Sequence, residues 1–558
     1  MSGKMLLRGT LILAGAAFIA RFLGVVQKIP LQRLLGDSGL ATYQTSYNVY
    51  AMLLVVATAG FPSAIAKLVS ENYALGRVKT AEAVHRTALQ YSIIAGVAAT
   101  ALLYLLAPVL SVMNRDPDAA LAIRAIAPAM LLFPWIAVER GYFHGRQRME
   151  ANGLSQVWEQ ILRVVGSIVL ALAFIQAGYG IVWAAAGASF GGVLGAIAAA
   201  LVMLYYGVKL RKEEHAGARA AAGAGAGGVA VQAVPVDSTA GEIDPDSKRS
   251  IFRAILKLSV PVTATALAVP AVYFIDSMVT KPLLADFVGS EMAQEMLGWL
   301  TGRAQSIAGI PVIFAIALSQ SILPIISAAF AKGDKPEVDR QTSLVLRVSL
   351  VSGVPAIVVL AACAFPLNTF IFNDAEGTWV IIALVCSVLF QIIMMVTNSV
   401  LLGFGRADLP MKHITVGVAA KLALSFVLAP FFGIYGIVAA TASCFAVTMA
   451  LNLLSLRRMA DYTVLGSRTA PFIATVVLQA AVGAAVSWAL YTYLHPFGIP
   501  FWNAFLQTAI ASAVTAAVYP VLLLRTRAFT PEDIASMPPK VRSVWNRAEP
   551  ALRKLRVI

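Results

Sequence analysis

The feature that most constrains this chain is a series of apolar stretches, each long enough to cross a bilayer whose hydrocarbon core is about 30 Å thick. They fall at roughly 9–29, 41–69, 87–112, 121–143, 155–176 and 181–207, then resume after a polar segment at roughly 252–280, 299–331, 342–372, 377–402, 411–431 and 435–456. Two more follow at roughly 468–494 and 500–524, which makes fourteen. The expected fold class is an all-α integral membrane protein of fourteen transmembrane helices. A soluble alternative is excluded by composition, because 59% of the residues are apolar and 13% charged, against about 45–50% and about 25% in soluble domains. The first stretch lacks an A-x-A-like cleavage site and exceeds the length of a signal-peptide core, so it is read as a retained helix.

The stretches repeat. Tyr179-Gly180-Ile181-Val182 recurs as Tyr435-Gly436-Ile437-Val438, Gly145-Arg146 as Gly405-Arg406, and the pair Ser70 and Gly76 as Ser327 and Gly333, at offsets of 256, 260 and 257 residues. The chain therefore reads as a tandem duplication. Each copy holds six spans, an even number, so the two six-helix repeats are related by an axis along the membrane normal, with two extra helices at the C-terminus. Such a pair encloses a central cavity and suits alternating access by rocking. The expected organisation is an N-terminal repeat over 1–210, a flexible linker over 211–250, a second repeat over 251–460, two extra helices over 461–526 and a basic tail over 527–558.

The net charge of +15 reports topology rather than nucleic acid. Basic residues crowd alternate loops, from Lys4 and Arg8 through Arg77, Lys79 and Arg86 to Lys209, Arg211 and Lys212, and the opposite loops carry most of the acidic ones. The positive-inside rule then puts both termini in the cytoplasm and the protein in the cell membrane, with anionic lipid as a partner. Gly223, Gly225 and Gly228 in the linker have G-x-G-x-x-G spacing, but no strand precedes them, and low complexity explains them.

Charged and polar residues inside the spans are the candidate site. Arg21 stands about 18 Å along the first helix, near the bilayer middle, where a lipid-facing arginine costs about 2.5–3.5 kcal/mol. Lys28 lies seven residues on, on the same face, with Gly24 between them. The next helix adds a polar stripe of Gln44, Tyr47 and Asn48, with Tyr43 and Tyr50 nearby, suited to hydroxyl-rich groups; helix-to-helix hydrogen bonding is the plainer alternative. In the second copy Pro261 and Pro270 should bend the helix carrying Asp276, a coupling or counter-ion candidate or a structural partner of Arg303, which opens the next helix. Glu159 and Arg163, four apart, are expected as a structural ion pair. Lys421 reads equally as a cavity cation or a snorkelling side chain. Gly187-x-Ser189-x-Gly191 matches a nucleophile elbow but sits mid-helix with no strand before it; with Gly195 it is a small-residue face for close helix packing. The five histidines and Cys363, Cys386 and Cys444 form no ligand spacing. No metal, no cofactor and no catalytic constellation is expected, so the chain does not read as an enzyme.

Leu7-Arg8-Gly9-Thr10, Ala20-Arg21-Phe22-Leu23-Gly24, Gly60-Phe61-Pro62-Ser63-Ala64, Gly141-Tyr142-Phe143-His144-Gly145 and Ser155-Gln156-Val157-Trp158-Glu159-Gln160 together resemble the stage V sporulation protein B branch of polysaccharide transporters. That branch lies in the multidrug/oligosaccharidyl-lipid/polysaccharide exporter superfamily, related to MurJ-type lipid II flippases, and the resemblance spans essentially the whole chain. It implies translocation of an undecaprenyl-pyrophosphate-linked sugar precursor, lipid II foremost, to the outer leaflet for peptidoglycan or spore cortex synthesis, with proteins of cell-envelope synthesis as partners. It makes Arg21 a cavity arginine and puts Arg303 in the stretch of a further one, though not at the matching position; Lys28, Gln44, Tyr47 and Asn48 are substrate-binding candidates from their place in the spans. The chain departs from the pattern at Gln27, where relatives have a second arginine, and near 411–431, which lacks the acidic ligand of a sodium site.

Two rivals stand beside this reading. A cation-coupled multidrug exporter would want an acidic aromatic cavity, whereas the buried charges here are mainly positive. A membrane-embedded polysaccharide ligase would need an acidic cluster on a sizeable outer loop, and the loops here are short.

Overall fold

The computed structural model describes residues 3–58, 60–223 and 247–526, and every regular element among them is helical. The chain divides into two compact units, Met1–Gly302 and Arg303–Ile558. The first contains α1 (Gly3–Thr58), α2 (Phe61–Ala74), α3 (Val78–Met113), α4 (Ala119–Ile126), α5 (Ala129–Gly145), α6 (Met149–Gln176), α7 (Gly180–Gly223), α8 (Lys248–Ala266), α9 (Ala268–Val288) and α10 (Ser290–Leu297). The second contains α11 (Gln305–Ala331), α12 (Lys335–Ala362), α13 (Ala364–Phe372), α14 (Thr378–Gly403), α15 (Asp408–Phe432), α16 (Ile434–Arg457), α17 (Thr469–Tyr493) and α18 (Pro500–Arg525).

Eleven described helical segments are long and apolar enough to cross a membrane, and the bent pair α8 and α9 would make a twelfth. The two remaining predicted spans, near 9–29 and 299–331, coincide with the first half of α1 and with α11. The protein is thus a multi-pass, all-helical membrane protein. Its surface is inverted relative to a soluble helix bundle. On α3, Ser92 and Ser111 are buried while Ile94, Leu105 and Val112 face outward at 64%, 71% and 74% exposure.

Local chemistry sets the breaks. The first predicted span and most of the second run together in α1, divided at Gly36, whose φ of 66° and ψ of −175° are open to glycine alone, and the second ends in α2. The bend of 51° between α8 and α9 falls at Leu267. Pro270 has no N–H for the carbonyl of Ala266, and its ring crowds that carbonyl, so α8 ends there. The repeat is visible in the turns: Gly76 (φ 71°) closes the chain after α2, and Gly333 (φ 68°) does the same after α11. Beyond the membrane α7 continues to Gly223 through a stretch first read as linker, because Ala, Glu, Lys and Arg are strong helix formers. The rest of the linker, 224–246, and the basic tail, 527–558, lie outside the described residues.

Small residues let the helices approach. A Cβ on Gly191 of α7 would lie 2.2 Å from Ser167 Oγ of α6, and one on Gly195 would lie 2.7 Å from the Glu159 carbonyl. Ser167 Oγ donates to the Ala188 carbonyl across the same seam (2.6 Å). In the second unit Gly417 of α15 does the equivalent work, since a Cβ there would stand 2.2 Å from Thr448 Oγ1 of α16. The G-x-S-x-G match is therefore a packing face, as its apolar context implied.

Candidate functional site

Polar side chains in the first unit gather on the inner faces of α1, α5, α6 and α9. Successive helix positions differ by about 100°, so the stripe expected of Gln44, Tyr47 and Asn48 divides over two faces. Gln44 Nε2 donates to Asn48 Oδ1 (2.9 Å), and Asn48 Nδ2 donates to Ser277 Oγ on α9 (2.7 Å) and to the Tyr273 carbonyl (3.4 Å). Both amides are buried, and they fasten α1 to α9 beside Asp276, which is itself fully buried. Tyr47 turns the other way, into a ladder with Tyr43 (ring centroids 6.5 Å apart) and Tyr50 (6.2 Å). Gln27, the departure from the family pattern, donates to Tyr43 Oη (3.0 Å). Lys28 is half-buried on α1; Arg21 lies on the same helix, and its side chain is outside the described set.

The tyrosine ladder faces a cluster that holds the predicted Glu159 and Arg163 pair and one more cation. Arg163 Nη2 donates to Glu159 Oε1 within α6, and Arg140 Nη2 of α5 donates to Glu159 Oε2 (2.8 Å). Arg140 also reaches Ser155 Oγ through Nε (3.2 Å) and Nη2 (2.7 Å), and its carbonyl accepts from Asn152 Nδ2 (2.8 Å). The sequence reading passed over Arg140. It lies at the end of an apolar run, where charge usually marks the interface, and its partner is 19 residues away across a turn.

In the second unit Arg303 is nearly inaccessible, with its side chain 1% exposed. Its Nη2 donates to Asp374 Oδ2 (2.7 Å), its Nη1 donates to the Glu376 carbonyl (3.0 Å), and Phe372 stands below the guanidinium. Asn368 Nδ2 holds the same carbonyl (2.8 Å). Asp374 lies in the turn between α13 and α14. Burial pushes its carboxyl up, but the Glu376 backbone N–H and the Arg303 guanidinium outweigh that and hold it below the usual carboxylate range. A separate network joins α14, α15 and α16: Asn452 Nδ2 donates to Thr397 Oγ1 (3.0 Å) and Asn398 Oδ1 (2.7 Å), and its Oδ1 meets His413 Nδ1 (2.7 Å). Lys421, fully buried, donates from Nζ to Thr441 Oγ1 (2.6 Å).

Two helical units that turn polar side chains inward and apolar ones to lipid define a class, the multi-spanning helical membrane protein. Lipid II flippase MurJ of Bacillus subtilis (strain 168) is 27% identical over 503 residues, which cover 87% of this chain and 88% of that one. Stage V sporulation protein B of the same organism is 25% identical over 543 residues, covering 96% and 98%. The solved inward closed conformation of lipid II flippase MurJ matches the fold with a TM-score of 0.63 at 14% identity, over 92% of this chain and 100% of that one. The chain belongs to the polysaccharide biosynthesis protein family, whose model matches residues 6–330.

Proposed function

We propose that the protein is a flippase that carries an undecaprenyl-pyrophosphate-linked sugar precursor, lipid II or a close chemical relative, from the inner to the outer leaflet by alternating access, with both termini in the cytoplasm. The observation that carries this reading is the sign of the charge placed inside the membrane. Arg140 and Arg163 share a single carboxylate in the first unit, and Arg21 and Lys28 follow each other along α1. A pyrophosphate is the complement of such groups, and a guanidinium offers it a planar fork. The names of the relatives support the same cargo. With the cell interior negative, moving about two negative charges outward through 100 mV releases up to roughly 4.6 kcal/mol, enough to drive export without a coupled ion. Asp276 is assigned the counter-ion role on α9. Gln44 and Asn48, committed to α9, and Arg303, committed to Asp374, are assigned to holding the fold.

Transbilayer movement of fluorescent lipid II in proteoliposomes, wild type against Arg21→Ala at equal reconstitution, tests the proposal. Arg21-dependent movement is the expected result. Movement unaffected by the substitution removes the cavity arginine, and its complete absence in the wild type removes the cargo.

A further inference from the structure

At one end of the first unit, α1, α10 and the turn between α3 and α4 meet at a carboxylate that has no cation. Asp116, buried, accepts at Oδ2 from Thr42 Oγ1 (3.0 Å) and from Gln294 Nε2 (3.0 Å). Gln294 Nε2 also reaches Thr42 Oγ1 (3.2 Å) and the Ser38 carbonyl (3.4 Å). Both donors to Asp116 are neutral. Among the described residues no Lys, Arg or His is paired with it, and its Oδ1 accepts no hydrogen bond. The neighbouring Arg115 is taken by Asp286 (2.7 Å). A buried charge requires a partner.

Other oxygens beside it are unused. Gln294 is 5% exposed and Asn114 is fully inaccessible, yet Gln294 Oε1 and both atoms of the Asn114 amide have no hydrogen-bond partner among the described residues. The three acceptors around Gln294 Nε2 fix which way that amide is turned. Its Oε1, on the same carbon, is therefore an acceptor held at the cluster. Asn114 caps the end of α3, two residues before Asp116. Native proteins leave buried polar groups unmatched only rarely.

We propose that Asp116, Gln294 and Asn114 form a binding site for one hard monovalent cation. The available donors are all oxygens, which suit alkali and alkaline-earth ions and not the softer transition metals. Charge decides between those two groups, because a single carboxylate neutralises one positive charge and a divalent ion would leave one over in a buried site. The bound ion ties α1 and α10 to the turn between α3 and α4. With the termini cytoplasmic, as proposed above, this end of the bundle faces the cell exterior. The site belongs to the first unit and is distinct from the helix near 411–431 in the second. It goes beyond the transport reading and does not depend on it.

The test follows the thermal midpoint of the purified full-length protein in detergent as choline chloride is replaced by sodium, potassium or calcium chloride at constant ionic strength. Wild type, Asp116→Asn and Asn114→Ala are compared, with binding of radioactive sodium measured alongside. Sodium or potassium should raise the wild-type midpoint saturably, as a ligand of the folded state does. Asp116→Asn keeps an oxygen for Thr42 and Gln294 but loses the charge, so it should weaken sodium binding about tenfold or more and flatten the midpoint response. Asn114→Ala keeps the test open if that variant does not fold, since the Asn114 side chain bonds to nothing in the protein whose loss would cost stability. In choline its midpoint should equal or exceed the wild-type value, and in sodium it should fall below it. A wild type that melts alike in choline, sodium and potassium overturns the inference, as do variants that respond to sodium as the wild type does. Calcium acting where sodium and potassium do not also overturns it. So does an Asp116→Asn variant more stable than wild type in every salt, because the carboxyl would then be protonated and hold no cation.

Discussion

Replacing Gly191 by alanine adds one methyl group where there is no room for it. The new Cβ would lie 2.2 Å from Ser167 Oγ, 2.5 Å from Ser167 N and 2.8 Å from its Cα. The hydroxyl can rotate away, but the two backbone atoms cannot, so α6 and α7 must separate along their whole seam. Overpacking of this kind costs about 1–3 kcal/mol. Separation also strains the bond from Ser167 Oγ to Ala188, worth a further ~0.5–1.5 kcal/mol. A loss of about 2–4 kcal/mol is therefore expected, read as a fall in the thermal or denaturant midpoint of the detergent-solubilised protein. Gly207, sixteen residues further along the same helix, is the control. A Cβ there meets nothing within 4 Å, so Gly207→Ala should gain up to about 1 kcal/mol from helix propensity. Adding Ser167→Gly to Gly191→Ala should recover less than half of the loss, because the backbone contacts persist. The packing argument fails if Gly191→Ala unfolds at the wild-type midpoint, or if the double variant is fully restored.

Acid should act through Asp374. Its carboxyl is held below the usual range in the folded protein, so the unfolded chain takes up a proton first as pH falls; the stabilisation is complete above the ordinary carboxylate pKa of about 4 and is lost as pH drops through the lower folded value. Thermal midpoints measured from pH 6 downward should fall more steeply for the wild type than for Asp374→Asn, and parallel curves would contradict this. Asn452→Leu removes the centre of the α14 to α16 network and strands His413 and Asn398; at about 0.6 kcal/mol for each of three intramembrane bonds, a loss of about 2 kcal/mol is expected in a denaturant titration. A change under a few tenths would mean that waters or neighbouring groups replace Asn452 without cost.

The spans could be read from sequence because lipid imposes a length and a polarity on each helix independently of its neighbours. Gly76 and Gly333, noted in the sequence only as repeat markers, turn out to hold left-handed turns, a local demand that glycine meets. Partnerships were harder. Arg303 finds Asp374 across 71 positions, and no local pattern connects them. The tyrosine and amide stripe divides, and its amides take the helix-to-helix hydrogen bonding that was the plainer alternative. Gln44, Tyr47 and Asn48 are close in sequence, yet only the neighbouring helices decide that one face meets Ser277 while the other meets Arg163. Arg140 was missed because a charge at the end of an apolar run looks the same whether it reaches water or turns back to Glu159.

The length of α7 has a practical side. Its 44 residues make a rod about 66 Å long, more than twice the hydrocarbon thickness of about 30 Å. The first charge along it is Lys209, so the final turns stand in water as a stalk rooted in the same seam that Gly191 closes. A compact protein spliced rigidly onto that stalk would inherit the tilt of the N-terminal bundle. It would supply a mass visible by electron microscopy, and a distance probe placed on it would turn small rotations of the bundle into displacements large enough to record.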